Sequence, residues 1–155
     1  VAIKKISNLF KNFINTKRIL REIMLMRYMN HNSIIKMYTI LQPKDLKKFD
    51  CLYLVFEFAE GDLRKLIKSP NYLTENHIKI IIYNILCGLK YIHSCRVLHR
   101  DIKPANILLN RDLSVKICDF GLARSVIGLY DDNYFFNEKK EKTEEDISPS
   151  KIFLI

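Results

Sequence analysis

The sequence of 155 residues contains no tryptophan and has only four glycines and four prolines. So little glycine and proline excludes a collagen-like or low-complexity chain, in which these residues are abundant. Hydrophobic residues make up 48% of the chain and charged residues 28%, as in an ordinary globular domain. The length fits one such domain.

Long hydrophobic runs and paired cysteines are also missing. The longest apolar run, residues 78–89, is interrupted by Lys79, Tyr83 and Asn84 and is too short to cross a bilayer. The four cysteines are scattered without a C-x-x-C spacing, which indicates free, buried thiols in a reducing compartment. We therefore expect neither a membrane partner nor a disulfide framework.

The formal net charge of +9 would suit a nucleic-acid or phosphate-rich partner. However, the basic residues are spread along the whole chain, and most aromatic residues stand in apolar runs. This distribution disfavours a nucleic-acid binder and fits a piece of a larger, better balanced protein. The apolar strand pattern at residues 1–6 has no methionine or turn before it, which also predicts that residue 1 is not the true start.

Hydrophobic periodicity predicts a chain of mixed helices and strands. The predicted strands are residues 1–6, 33–41, 51–58, 107–109 and 115–118. The predicted helices are residues 15–29, 59–69 and 73–94. In the last helix Thr74 is the predicted N-cap, and one apolar stripe is formed by Ile78, Ile81, Ile82, Ile85, Leu89 and Ile92.

Two other segments are predicted to be irregular. Residues 99–106 form a loop that enters the next strand, because Pro104 is incompatible with a helix interior. From Tyr130 onwards the chain is charged and without periodicity, which predicts a mobile loop or a disordered segment.

Short motifs follow one another in a fixed order along the chain. They are V-A-I-K at residues 1–4, Glu22 on the next helix, H-R-D-I-K-P-A-N at residues 99–106 and D-F-G at residues 119–121. This order and spacing resemble the signature of the eukaryotic protein kinases over about residues 1–129. Longer segments around these motifs are similar to the mitogen-activated protein kinases, namely V-A-I-K-K-I, K-R-I-L-R-E-I and V-K-I-C-D-F-G-L-A-R-S. One segment, L-Y-L-V-F-E-F, is more similar to the cyclin-dependent kinases.

The resemblance implies the two-lobed α+β protein-kinase fold, present in part. Residues 1–59 would form a partial small, β-rich lobe without its first strands, together with the hinge. Residues 60–129 would begin the large helical lobe, with the catalytic loop and D-F-G, and the chain would stop before the rest of that lobe. Residues 130–155 would be a disordered activation-loop insertion.

The activity implied is that of a serine/threonine protein kinase that uses ATP and Mg²⁺ and is proline-directed. Asp101 would be the catalytic base that accepts the proton of the substrate hydroxyl. Lys103 would steady the transferred phosphoryl group, and its place in D-I-K-P-A-N favours serine or threonine over tyrosine as acceptor. Asn106 and Asp119 would hold Mg²⁺ through hard oxygen ligands.

The resemblance also implies a nucleotide site. Lys4 would bind the α- and β-phosphates and pair with Glu22, and strand alternation puts Lys4 on the face of Ala2 and opposite Lys5. The remaining residues would surround the nucleotide. They are Ala2 as the roof and Leu108 as the floor of the adenine pocket, Phe56 as the gatekeeper, Glu57 and Ala59 as hinge residues whose backbone groups bind adenine, Asp62 near the ribose, and Cys118.

Four further residues are expected to have packing or regulatory roles. His99 and Phe120 would pack between the lobes with Met26. Arg100, expected to be buried beside Asp101, would pair with a phosphorylated activation loop, which implies switching by an upstream kinase. The implied partners are therefore protein substrates and an activating kinase, and the implied location is the cytoplasm, with the nucleus as a second one.

The sequence departs from the family pattern in three ways. None of its glycines precedes V-A-I-K, so the glycine-rich phosphate loop is absent. No T-x-Y is present, Thr143-Glu144-Glu145 being the nearest approach, and no A-P-E follows. These departures predict a fragment that is inactive by itself. The alternative, a non-catalytic pseudokinase or scaffold, is disfavoured because Lys4, Asp101, Asn106 and Asp119 are all present.

Overall fold

The computed structural model describes residues 1–41, 45, 50–70 and 73–126. The predicted loop or disordered segment from Tyr130 lies outside these residues. The strands are β1 (Ala2–Ile6), β2 (Met37–Leu41), β3 (Leu52–Phe56), β4 (Gly61–Asp62), β5 (Val97–Leu98), β6 (Ile107–Leu109), β7 (Val115–Ile117) and β8 (Arg124–Ser125). The α-helices are α1 (Phe13–Tyr28), α2 (Leu63–Lys68) and α3 (Glu75–Ser94), and 3-10 turns lie at Pro104–Asn106 and Phe120–Leu122.

The first sheet is antiparallel with strand order β1-β3-β2. In the β1–β3 ladder Ala2 is opposite Phe56 and Lys4 is opposite Leu54. Lys5 projects from the other face, where its ammonium group lies 5.8 Å from the ring centroid of Tyr53. The predicted separation of Lys4 and Lys5 onto opposite faces is therefore confirmed.

Helix α1 begins after Asn12, whose side chain accepts hydrogen bonds from the N–H groups of Ile14 and Asn15. Such an N-cap satisfies donors that have no partner within the helix. Leu25 and Met26 on this helix are buried in the core. Two charged residues of the same helix, Arg21 and Glu22, are also buried. This burial turns a polar edge of α1 towards the interior of the molecule.

The predicted strand at 33–41 is wrong in its first half, because only β2 is a strand there. Residues 33–35 pair with β7 instead: the N–H of Ile117 donates to the carbonyl of Ser33, and the N–H of Ile35 donates to the carbonyl of Ile117. Ile34 and Ile35 are buried at this contact. This pairing attaches residues 33–35, which follow α1, to the second sheet, whose strand order is β4-β6-β7.

Helix α3 packs on β5 and β7. Thr74 caps it as predicted, by accepting a hydrogen bond from the N–H of His77. Ile81 and Ile92 are buried, but Ile78 and Ile82 are each 49% exposed. The predicted apolar stripe is therefore covered only in part by the described residues.

The buried residues form one continuous core that includes residues of β3, α1, α3 and β7, with Phe120 among its least exposed members. The structure thus has the mixed helix and strand composition that the sequence predicts. Among the described residues, no helix is both long enough and apolar enough to span a membrane.

Candidate active site

Lys4 and Glu22 form an ion pair at one side of the site. The Lys4 Nζ atom lies 2.7 and 2.8 Å from the two carboxylate oxygens of Glu22. The Glu22 side chain is only 8% exposed, and Lys4 is 45% exposed. The contact between these two side chains that the sequence predicts is therefore present. It brings strand β1 and helix α1 together at a charged edge.

Arg21, the residue before Glu22, connects α1 to the D-F-G segment. Its Nη1 atom donates a 2.7 Å hydrogen bond to the carbonyl of Gly121. Sequence reasoning missed this residue, although a second charge beside Glu22 on the polar edge of α1 was a visible signal. The bond fixes the helix that carries Glu22 relative to Asp119.

His99 connects the segment 99–106 to the residues before D-F-G. Its Nδ1 atom accepts a hydrogen bond from the N–H of Asp101 at 3.2 Å, so the proton lies on Nε2, which donates to the carbonyl of Cys118 at 3.0 Å. Burial lowers the pKa of His99 despite the hydrogen bond to that carbonyl, so the ring is neutral. The ring also meets Phe120 edge-on with centroids 4.8 Å apart, as expected for a packing residue.

Asp101 and Asn106 are joined directly. The Nδ2 atom of Asn106 donates to the carbonyl oxygen and to the Oδ2 atom of Asp101, both at 2.9 Å. These bonds fix the orientation of the amide and turn Oδ1 of Asn106 away from Asp101. Asn106 is buried, at 6% exposure. The amide oxygen is thus held in a defined place, as a ligand atom needs to be.

Lys103 completes this group. Its Nζ atom donates a 2.7 Å hydrogen bond to Oδ2 of Asp101. This bond is the main cause that lowers the pKa of Asp101, and the bond from Asn106 adds to it. Asp101 is therefore a carboxylate at neutral pH. Such a group can accept a proton from a nearby hydroxyl.

Cys118 and Asp119 directly follow strand β7. The N–H of Cys118 donates to the carbonyl of Asn106 at 3.0 Å, and Asp119 is exposed with a φ of 67°. Burial is the main cause that raises the pKa of the Cys118 thiol to about 12; the carboxylates of Asp119 and Glu22 contribute to this rise, and Lys4 opposes it. The charges of Lys4, Glu22 and Asp119 all act on the pKa of this thiol.

The donor atoms fit Mg²⁺. The amide oxygen of Asn106 and the carboxylate of Asp119 are hard oxygen ligands, and Mg²⁺ commonly uses one or two protein oxygens together with water and substrate phosphates. Among the described residues, no cluster of three or more His, Cys, Asp or Glu side chains could hold a metal ion.

The residues implied for an adenine pocket lie around the end of β3. Phe56 is buried and lies opposite Ala2 across the β1–β3 ladder. The N–H of Glu57 donates to the carbonyl of Lys36 at 2.8 Å, so only the carbonyl of Glu57 could serve an adenine amino group. Ala59 follows in the irregular segment before β4. Leu108 lies on β6, half-buried against the core.

Asp62 has a structural role that the sequence did not predict. Its Oδ1 atom accepts a 2.8 Å hydrogen bond from the N–H of Lys65 and thereby caps helix α2. It also lies opposite Leu108 in the β4–β6 ladder, beside the implied adenine floor. The contact of Asp62 with a ribose stays a prediction.

The expectation that Arg100 is buried is wrong, because the residue is exposed. His99 and Asp101 on either side turn into the structure, and Arg100 has a φ of 68°. This left-handed backbone conformation points its side chain outwards. Arg100 still neighbours Asp101, but it is not a desolvated charge that needs a partner.

Comparison with known proteins gives a consistent result. A profile of the protein kinase domain family matches residues 1–143. The chain is 51% identical over 125 residues to a mitogen-activated protein kinase homolog, NTF6, of Nicotiana tabacum, a match that covers 81% of the chain and 34% of the relative. It is 49% identical to mitogen-activated protein kinase 13 of Arabidopsis thaliana over 81% of the chain and 34% of the relative. The chain spans about a third of the length of the curated relatives it matches.

Proposed function

This chain belongs to the protein kinase domain family, and from this premise we propose that the native protein containing it is an ATP-dependent serine/threonine kinase of the mitogen-activated type. One observation carries the proposal. Lys4 and Glu22 form an ion pair, Asp101, Lys103 and Asn106 form a hydrogen-bonded group, and Cys118, directly before Asp119, donates from its N–H to the carbonyl of Asn106. Phosphoryl transfer needs such positioned charges more than it needs covalent chemistry.

Asp101 is proposed as the base. It would orient the acceptor hydroxyl and take up its proton as the oxygen bonds to the γ-phosphorus and the bond from that phosphorus to the bridging oxygen of the departing ADP breaks. Its lowered pKa keeps it ionised for this task. The Nζ atom of Lys103 lies 2.7 Å from the Asp101 carboxylate, and its positive charge would also stabilise the transferred phosphoryl group. The two residues are hydrogen-bonded neighbours in one loop, so they would act on the same atoms.

Asn106 and Asp119 are proposed to hold Mg²⁺ through side-chain oxygens. The cation, when bound, would neutralise charge on the phosphate oxygens. The role of Asn106 is supported by its two donated bonds, which leave Oδ1 to face a ligand. Lys4 would bind the α- and β-phosphates, with Glu22 holding its ammonium group in place.

The adenine ring is proposed to lie between Ala2 and Leu108, against Phe56. The carbonyl of Glu57 and the N–H of Ala59 would meet its edge, and Asp62 and Cys118 would lie beside the ribose and phosphates. Residues 1–59 would then belong to the small lobe and hinge, and residues 60–129 to the large lobe. Residues 130–155 would be an activation-loop insertion.

Protein substrates and an upstream activating kinase are the proposed partners, in the cytoplasm and the nucleus. Support comes from the names of the relatives, which are mitogen-activated protein kinases. The same resemblance supports a preference for serine or threonine followed by proline.

A phosphate-transfer assay tests the proposal. The purified native protein is incubated with Mg²⁺ and γ-labelled ATP and with two peptides that differ only in proline or alanine after the acceptor serine. We expect labelling of the proline peptide, loss of labelling with EDTA, and a fall in activity after phosphatase treatment. Nucleotide binding without transfer to any protein or peptide would contradict the proposal and favour a non-catalytic scaffold.

A further inference from the structure

The side chain of Glu57 joins three separate segments of the chain. Its Oε1 atom lies 2.8 Å from the ammonium group of Lys116 on β7. Its Oε2 atom accepts a hydrogen bond from the N–H of Lys36 at 3.3 Å. The N–H of Glu57 itself donates to the carbonyl of Lys36 at 2.8 Å. Glu57 is thus fixed both through its backbone and through its side chain.

The ion pair between Glu57 and Lys116 is partly buried. The Lys116 side chain is 14% exposed and that of Glu57 is 24% exposed. Exposed ion pairs contribute little because water screens them. In a partly buried pair, by contrast, removal of one partner leaves the charge of the other poorly solvated. The local structure around the pair is therefore sensitive to substitution of either residue.

The pair also lies beside the proposed floor of the adenine pocket. Lys116 is directly opposite Leu108 in the β6–β7 ladder. Residues that face each other across an antiparallel ladder project from the same side of the sheet. Lys116 therefore reaches the hinge from the face that carries Leu108. Glu57 directly follows Phe56 at the end of β3, so its backbone forms the neighbouring wall.

We infer that Glu57 and Lys116 are positioning residues for nucleotide binding, whose ion pair fixes the distance between the hinge backbone at Glu57 and the floor at Leu108. The inference rests on the proposed kinase function and adds to it a role for two side chains. Neither side chain has to touch the nucleotide. They act through the main chain of Glu57 and through strand β7.

The inference has a specific kinetic consequence. A loosened pocket binds ATP less tightly, but ATP that is bound still reacts at Asp101, Asn106 and Asp119. Loss of the pair should therefore raise the KM for ATP and leave kcat nearly unchanged. A residue that only stabilises the fold would change neither value in the folded enzyme.

The test uses the native protein with the variants Glu57→Gln, Lys116→Met, the two combined, and Lys116→Arg. Glu57→Gln removes the charge but keeps an acceptor for the N–H of Lys36. We expect each of the first two variants to raise the KM for ATP, and the Kd of a fluorescent ATP analogue, by about five-fold. The double variant should be no weaker than the single ones because the effect belongs to the pair. Lys116→Arg, which keeps the charge, should bind like the unsubstituted protein.

A matched control is Glu60→Gln. Glu60 also forms an ion pair, at 2.7 Å with Arg111 in the turn between β6 and β7, but the side chains of Glu60 and Arg111 are 41% and 91% exposed. Its substitution should leave the Kd of the analogue unchanged.

The outcomes separate this inference from the proposed function. Unchanged Kd and KM in Glu57→Gln and Lys116→Met, in a protein that binds nucleotide, overturn the inference and leave the function intact. Equal losses in the Glu60→Gln control also overturn it. If the unsubstituted native protein binds no nucleotide, the proposed function fails and the inference fails with it.

Discussion

The ammonium group of Lys4 contacts both carboxylate oxygens of Glu22, at 2.7 and 2.8 Å, across the gap between strand β1 and helix α1. The Glu22 carboxylate is buried, whereas Lys4 is 45% exposed, so Lys4 is the member of the pair that a ligand could reach. Arg21 holds the same helix to Gly121. Helix α1 is therefore docked against the D-F-G segment, with Glu22 directed at Lys4.

Substitution of Glu22 by glutamine should impair catalysis. The neutral amide no longer fixes the Lys4 ammonium group, so we expect kcat/KM for ATP to fall on the order of ten-fold in the native protein. Steady-state kinetics at varied ATP concentration measure this. Glu75→Gln is the control, because Glu75 pairs with Lys79 at 2.6 Å on the exposed surface of α3. Similar losses in both variants would argue against a role of the Lys4–Glu22 pair.

Removal of Lys103 should change the pH dependence of the reaction. The Lys103 ammonium group lowers the pKa of Asp101, so the base is ionised above that pKa and loses activity as the pH falls through it. In Lys103→Met the pKa of Asp101 rises, and the acidic limb of the kcat/KM profile should move to higher pH. Lys103→Arg should keep the limb near its original place. An unmoved limb in the methionine variant would show that Asp101 is not the titrating base.

Gly88→Ala should destabilise the protein. A Cβ atom at this position would lie 2.8 Å from the Cδ1 atom of Ile117, 3.1 Å from the Cβ atom of Ser33 and 3.3 Å from the carbonyl oxygen of Ser33, so the Ile117 side chain would have to shift and α3 would be pressed against Ser33. We expect a loss of about 1–3 kcal/mol in the free energy of unfolding in urea. Gly61→Ala is the control, since a Cβ there would meet no atom within 4 Å. A loss in Gly88→Ala no larger than in Gly61→Ala would contradict this packing.

Cys118 should react slowly with thiol reagents even in the absence of nucleotide. Burial raises its pKa from 9.0 to about 12, so its thiolate fraction at neutral pH falls on the order of 10³-fold. Cys95 is exposed and serves as the internal reference. Timed alkylation followed by peptide mass spectrometry should find Cys95 modified long before Cys118. Equal rates would contradict the burial of Cys118 between Asn106 and the surrounding charges.

Local pattern and family resemblance were sufficient for much of the architecture. Strand alternation correctly separated Lys4 from Lys5, because a period of two is a property of any strand. Pro104 also correctly excluded an α-helix from residues 99–106, where the structure has only a 3-10 turn at Pro104–Asn106. In these cases the determining contacts are close in sequence or are imposed by a known signature.

Other features depend on partners that are distant in sequence. Ile34 and Ile35 have the apolar pattern of a strand, but their pairing with Ile117 depends on how the second sheet docks. The contact between Glu57 and Lys116 likewise arises only when the end of β3 meets β7. Arg100 is exposed and has a left-handed backbone conformation, which an arginine at that position does not predict.

The most direct test of the account is Asp101→Asn in the native protein, with the rate of phosphate transfer and the Kd of an ATP analogue measured on one preparation. Asparagine has the same shape but cannot take up a proton as the carboxylate does, and Asp101 is proposed to orient the acceptor rather than to hold the nucleotide. We expect the transfer rate to fall about 10²- to 10⁴-fold, with the Kd nearly unchanged. Asp112→Asn, in the exposed turn before β7, is the control and should retain activity. Transfer by Asp101→Asn at the rate of the unsubstituted protein would contradict the assignment of the active site.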